Sequence, residues 1–177
     1  MGKIGVPKPV KLIMSLITSD DLLLHQAMEV AAQRYGEVDF KSDVLPFGLT
    51  GYYTAEMGEG LFRRFITFRP MIPRESLVRI KRETNEVEET FAVEGRRRIN
   101  IDPGYICAEH LILATTKGYT HRPYLGEGIY ADLTLVYQKG EFRPLEWTYP
   151  DYASPGIREI LNEVRRRYLQ ELKGGGG

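Results

Sequence analysis

Residues 117–130, KGYTHRPYLGEGIY, set His121 beside Arg122 and near Lys117, place Tyr119, Tyr124 and Tyr130 among them, and lead past two glycines into an alternating apolar run. Positive neighbours favour the neutral imidazole, which can take up a proton or donate one hydrogen bond. Tyrosine rings can stack on a base or sugar while their hydroxyls orient phosphate or carbonyl groups. Arg63 and Arg64 are a second source of chemistry. Neighbours in a strand point to opposite faces, so at least one guanidinium is predicted beside apolar side chains. Such a cation needs a partner, either a carboxylate (Asp102, Glu56 or Glu88) or a bound anion. Asn100 and Asp102 are a third source, since they alternate with Ile99 and Ile101 and share one face.

Taken together, these residues predict a polar pocket for a small anionic or nucleotide-like molecule. Its binding groups are Arg63, Arg64, Asn100, Lys117, Arg122, Tyr124 and Tyr130, with His121 and Asp102 as acid and base if the protein is an enzyme. Each group also has a purely structural reading. An imidazole can be tied to a backbone carbonyl, an aspartate before Pro103-Gly104 is an ordinary turn former, and the loop tyrosines 52, 53, 105, 119, 124, 130, 149 and 152 can close sheet edges. A second class of function competes with ligand binding. In it the aromatic stretch WTYPDY, residues 147–152, and the last helix bury against a partner or a second copy, so a homo-oligomer is compatible with the sequence.

The elements that must hold the pocket follow from periodicity. Residues 10–17 are a β-branched and aliphatic strand, and TSDD after them supplies an N-cap and first-turn acids for a helix. That helix carries Leu22, Leu23, Ala27, Val30 and Ala31 inward and ends at Tyr35-Gly36. Residues 38–45 read as extended, limited by Pro46, and the glycines of PFGLTGYYTAEMGEG make a loop. A strand at 61–69 is followed by a helix after Pro73, with Leu77, Ile80, Thr84, Val87 and Phe91 spaced alternately three and four. Residues 97–102 return as a strand ended by Pro103-Gly104. The resulting β-α-β-β-α-β order is that of a ferredoxin-like core.

Beyond that core, residues 107–115 read as a short helix, and Ile129, Ala131, Leu133, Leu135 and Tyr137 alternate as one strand. QKGE is the turn into a returning strand, and Ser154 caps a last helix with Pro155 at its first position and Ile157, Leu161, Val164 and Tyr168 along one stripe. The expectation is an α+β fold, ferredoxin-like and extended by a C-terminal β-hairpin and helix. It forms a single domain over residues 1–173, with a flexible glycine tail at 174–177.

Composition narrows the partners. The 24 basic and 24 acidic residues balance, which removes the field that drives sequence-independent nucleic-acid binding. The sheet also lacks the glycine-containing aromatic signature of RNA-reading strands, so nucleic acid is not the expected partner. A single cysteine, Cys107, excludes an intramolecular disulfide and any zinc site built on several thiolates, and suits a reducing cytoplasm. His110, His121, Asp102 and Glu127 have no spacing that sets up a metal site, and the residues identify no cofactor. The N-terminal apolar run is far shorter than the roughly 20 residues that span a bilayer, so no membrane partner is expected.

The stretches PKPVKL, EMGEGLFRRF, RRINIDPGY, LATTKGYTHRPYLGEGIY and WTYPDY together resemble the bacterial domain-of-unknown-function family 4416 over nearly the whole chain. The resemblance implies an identity and no particular reaction. The chain has no GxxxxGK[ST] loop to wrap phosphates in backbone N–H groups.

Overall fold

The computed structural model describes residues 2–48 and 54–174, so Tyr52, Tyr53 and glycines 175–177 lie outside the described residues. Strand β1 (Lys11–Thr18) is buried along its whole length, as its aliphatic run predicts. Helix α1 (Asp21–Tyr35) starts at Asp20, whose side chain accepts the Leu23 amide at 3.1 Å. It stops at Gly36, where φ is 99° and a Cβ would sit 2.6 Å from Pro70 Cγ. The helix turns Leu23, Leu24, Ala27, Met28 and Ala31 inward, whereas Leu22 is exposed.

The predicted strand at 38–45 is two pieces, β2 (Val38–Lys41) and β3 (Leu45–Pro46). At the break, the Ser42 hydroxyl accepts the Phe65 amide and donates to the Asp43 carbonyl. Then come α2 (Thr54–Met57), β4 (Phe62–Phe68), a 3-10 turn at Arg74–Ser76 and α3 (Leu77–Phe91). Helix α3 buries the predicted stripe of Leu77, Ile80, Thr84 and Val87, with Lys81 and Glu88 alongside. Five further strands follow: β5 (Ile99–Ile106), β6 (His110–Thr115), β7 (Tyr124–Gly126), β8 (Ile129–Gln138) and β9 (Glu141–Pro144). The chain ends in α4 (Pro150–Ala153) and α5 (Pro155–Gly174), so Gly174 is helical.

Among the described residues the strands form a nine-stranded sheet in the order β2-β4-β1-β5-β6-β8-β7, with β3 on β4 and β9 on β8. Neighbouring strands run antiparallel, and alternation along β1 divides the molecule into two layers. Leu12, Met14 and Leu16 pack with α1 and α3 on one face. Ile13 joins Phe65, Phe142 and the Leu161 and Val164 of α5 on the other. Each such buried side chain contributes about 1.5–3 kcal/mol relative to exposure. The Tyr168 hydroxyl of α5 donates to the Pro9 carbonyl at 2.9 Å, and Glu171 lies 2.7 Å from buried Lys11, which also pairs with Asp39. The apolar stripe of the last helix is therefore spent on its own sheet. No helix among the described residues is long and apolar enough to cross a membrane.

Several stretches depart from their sequence reading. Residues 107–115 are no helix: residues 107–109 turn the chain, and Leu111, Ile112 and Leu113 pair with Ile106, Tyr105 and Gly104 as a hairpin. Aliphatic residues that would cover a helix face find a ladder instead. Pro103-Gly104 does not end β5, which runs on to Ile106. Gly104 marks the point where β6 joins, since a Cβ there would lie 2.3 Å from the Ile112 carbonyl oxygen. The alternation of residues 129–137 is two patterns. A register shift sets Leu111 opposite Leu135 but Ile112 opposite Leu133, so Ile129 and Ala131 pack toward α3 while Leu135 packs toward α5. Lys139 and Gly140 both have positive φ, which makes the QKGE turn. The Ser154 hydroxyl donates back to the Asp151 carbonyl at 2.6 Å and so closes α4.

Candidate functional site

Strand β5 pairs with β1 from Ile99 to Ile106 but with β6 only from Gly104 to Ile106. From Ile99 to Pro103 its outer edge therefore has no strand alongside among the described residues. Helix α3 serves that edge: the Ile101 amide donates to Glu88 Oε1 at 2.6 Å, and Lys81 Nζ donates to the Ile101 carbonyl at 3.2 Å. Left bare, each buried group would cost about 1–3 kcal/mol. Backbone polarity alternates along a strand, so the missing N–H of Pro103 falls on this same open side, where no ladder needs it. Where β6 departs from β5 a cleft of about 610 Å³ opens, lined by both strands, by α3 and by α4.

The cleft is densely charged yet balanced. Its cations are Arg63, Lys81, Arg97, Lys117 and Arg122, and its carboxylates are Glu88, Glu89, Asp102, Asp132 and Asp151. Arg97 holds Glu56 through two hydrogen bonds of 2.9 and 2.6 Å, lies 3.4 Å from Glu88, and donates to Asn100 Oδ1 at 3.1 Å. Asn100 in turn donates to Asp102 at 2.7 Å, and Lys81 stands 3.6 Å from the other Asp102 oxygen. The hydrogen bond from Arg97 holds the Glu56 carboxyl below the usual range. Burial pushes the Glu88 carboxyl up, with Lys81 pulling against it.

The inner wall is different in kind. Arg63 is 3% exposed, with its guanidinium carbon 4.6 Å from the Phe47 ring centre, 5.0 Å from Tyr152 and 5.4 Å from Phe65. Its Nη1 lies 2.6 Å from Asp151 Oδ2, a charge contact that misses hydrogen-bond alignment. Arg63 Nε, Asp151 Oδ1, Tyr152 Oη and Ser15 Oγ are all buried and have no hydrogen-bond partner among the described residues. Ser15 neighbours the Tyr152 hydroxyl without completing a well-formed bond, and burial raises that hydroxyl well above the usual phenol range. Residues 15, 63 and 102 share a face through the registers Ser15↔Asp102 and Ile17↔Arg63.

At the mouth, Arg122 Nε donates to Asp132 Oδ2 at 2.7 Å, and its other nitrogens reach the Lys117 carbonyl and the Tyr149 hydroxyl. His121 Nε2 lies 3.5 Å from the same Asp132 oxygen, and its ring stacks on Trp147 with centroids 4.9 Å apart. The indole N–H of Trp147 donates to the Leu133 carbonyl. The His121 imidazole thus faces a carboxylate that its sequence neighbours did not suggest.

Of the residues singled out by sequence, Arg63, Asn100, Asp102, Lys117 and Arg122 line one cleft. His121 stands behind Asp132, outside the lining. Arg64 points to the opposite face of β4, its Nε buried and without a hydrogen bond among the described residues. Tyr124 and Tyr130 form a cross-strand ring pair 5.2 Å apart on the β7–β8 hairpin and do not line the cleft. The partner of Arg63 is Asp151, and Glu56 and Glu88 serve Arg97 instead. Sequence reasoning missed Lys81, Arg97, Asp132 and Asp151, and named Glu88 only as a possible partner of Arg63 or Arg64. A signal existed for two of them: Lys81, Thr84 and Glu88 lie on one helical face beside the apolar stripe. Of the WTYPDY aromatics, Tyr152 is buried, and Trp147 and Tyr149 are half-exposed but engaged at the cleft mouth.

No curated protein and no solved structure matches the chain. The model of one family, described as a domain of unknown function, matches residues 8–168, and on that span the chain belongs to the DUF4416 family.

Proposed function

We propose that the cleft binds a small molecule carrying one anionic group among several hydroxyl or amide groups, as a mononucleotide or sugar phosphate does. The observation that carries this reading is the inner wall, where polar atoms of Arg63, Asp151 and Tyr152, with Ser15 beside the Tyr152 hydroxyl, converge in burial from three separate elements without hydrogen-bond partners among the described residues. Buried polar groups are normally satisfied, and a cluster that is not needs another source of hydrogen bonds. The cleft's size fits a metabolite. Its balanced charge disfavours a polyphosphate and leaves the Arg63 Nε–H, Asn100 and the hydroxyls to read the ligand. Asp102 is the acid–base candidate within the cleft, and His121 stands outside the lining, 3.5 Å from Asp132.

The same proposal places β2, β4, β1 and β5 with α1 and α3 as a ferredoxin-like unit to which the later strands were added, supported by their order in the sheet. A cytoplasmic location belongs to it too, on the lone cysteine. A thermal-shift panel of mononucleotides, sugar phosphates and carboxylate metabolites tests the reading. A ligand at 100 times its Kd stabilises by about 2.7 kcal/mol, which at 2–4 °C per kcal/mol is a rise of about 5–11 °C in Tm. Ser15→Ala and Asn100→Ala should reduce that rise. A panel that moves neither Tm nor titration heat defeats the reading.

A further inference from the structure

The hairpin at residues 107–115 brings three unlike donor atoms to its tip. In a helix, Cys107 and Glu109 would point about 200° apart. In the turn, the Cys107 sulfur, a Glu109 carboxylate oxygen and a His110 ring nitrogen all lie within 4.8 Å of one another. We propose that this tip binds one divalent transition-metal ion of the zinc class through Cys107, Glu109 and His110, with a fourth position open to water. The site is remote in role from the cleft and does not rest on the ligand reading.

The donor set selects the metal. Thiolate and imidazole nitrogen suit Zn(II) and Co(II), whereas Mg(II) and Ca(II) prefer all-oxygen sites. Tetrahedral bonds of 2.0–2.3 Å put ligand atoms about 3.3–3.8 Å apart, so the three need close by no more than about 1.5 Å. Exposed Glu109 has the rotational freedom to supply that movement. The backbone beneath is already tied down. The Cys107 amide donates to the His110 carbonyl at 3.1 Å, the Tyr137 amide to Glu109 at 2.7 Å, and Arg165 Nε to Ala108 at 2.8 Å. The His110 ring leans on Tyr105, with centroids 6.0 Å apart. Cys107 is buried and Glu109 exposed, so the ion enters from the Glu109 side. On binding, the sulfur–metal bond forms as the S–H proton passes to solvent and the ion sheds water, with no change of oxidation state. Arg74, over the Tyr105 ring at 5.9 Å, pushes against a cation, and the thiolate and carboxylate together oppose that push.

Titrating metal-stripped protein with Co(II) tests the site. The expected result is one equivalent bound, with thiolate-to-cobalt charge-transfer absorption in the near ultraviolet, tetrahedral bands in the visible, and displacement of both by Zn(II). Cys107→Ser should abolish the charge-transfer band. Loss of an inner ligand should cost at least as much as the 10–100-fold typical of outer-shell partners, so Glu109→Gln and His110→Ala should each weaken Co(II) by at least 10-fold. Glu109→Gln alters an exposed side chain, which keeps the test readable if a cysteine variant misfolds. A titration without the charge-transfer band overturns the proposal, as does unchanged affinity in Glu109→Gln and His110→Ala.

Discussion

Replacing Asp151 by asparagine would leave the Arg63 guanidinium, almost wholly buried, without the carboxylate now 2.6 Å from it. Removing one partner of a buried ion pair costs about 3–5 kcal/mol, because the other charge stays out of water. The rings of Phe47, Phe65 and Tyr152 around Arg63 are present in both forms and do not change this difference. Arg63→Met keeps the stem between Phe47 and Tyr152 and strands the Asp151 carboxylate instead. A carboxyl can escape by taking up a proton, which limits the loss to about 2–3 kcal/mol. The double variant buries no charge and should lose about 1–3 kcal/mol, well below the sum of the singles, for a coupling of at least ~2 kcal/mol. Urea unfolding of the four proteins, with equal m-values as the check on two-state behaviour, gives the cycle directly. In a thermal scan Asp151→Asn should lower Tm by about 6–20 °C. Singles that add within about 0.5 kcal/mol in the double variant would refute the reasoning, since independent sites behave that way.

Two further outcomes follow from the outer edge of β5, which is paired at Gly104 and served by α3 at Ile101. Gly104→Ala puts a methyl 2.3 Å from the Ile112 carbonyl oxygen and 2.7 Å from Leu113 Cδ2, so backbone must move; a loss of about 2–3 kcal/mol is expected in urea unfolding, and a change below about 0.5 kcal/mol would show that β6 yields freely. Glu88 binds its proton more tightly in the folded chain than in the unfolded one, because burial raises its carboxyl above 4.5. Its contribution is therefore fully present below pH 4.5 and lost as pH rises through the folded value. Glu88→Gln keeps an acceptor for the Ile101 amide, so the stability of wild type minus variant should fall between pH 4 and 7. A difference that grows with pH would contradict the assignment.

Periodicity revealed the halves of the fold that are regular. β1, α1, β4 and α3 stand where their repeats put them, with shifts of a residue or so. In the C-terminal half β8, the QKGE turn and α5 also stand where they were read, and the stretches that resisted were those whose signals context overruled. Leu111, Ile112 and Leu113 fit a helix or a strand equally well until Gly104 offers them a close partner. Pro103 reads as a stop only if its N–H would have been needed. The site was legible in part for a related reason. Arg63, Asn100 and Asp102 announce themselves as polar groups in strands, which alternation can place. Asp132 lies beside a register shift that alternation cannot follow, and Asp151 sits in a four-residue helix with no repeat to read. Charge matching was the least visible layer, because Arg63 meets an acid 88 positions away and Arg97 one 41 positions back.

The β5–β6 junction is a weld of three residue pairs between two much longer seams, and this has a mechanical side. Torque applied to one half of the sheet is transmitted to the other through that weld and through the Lys81 and Glu88 struts from α3. A guest wedged into the gap would press on all of them at once. Filling the cleft and stiffening the whole plate are then the same event, and slowed deuterium uptake at Ile101 is its signature.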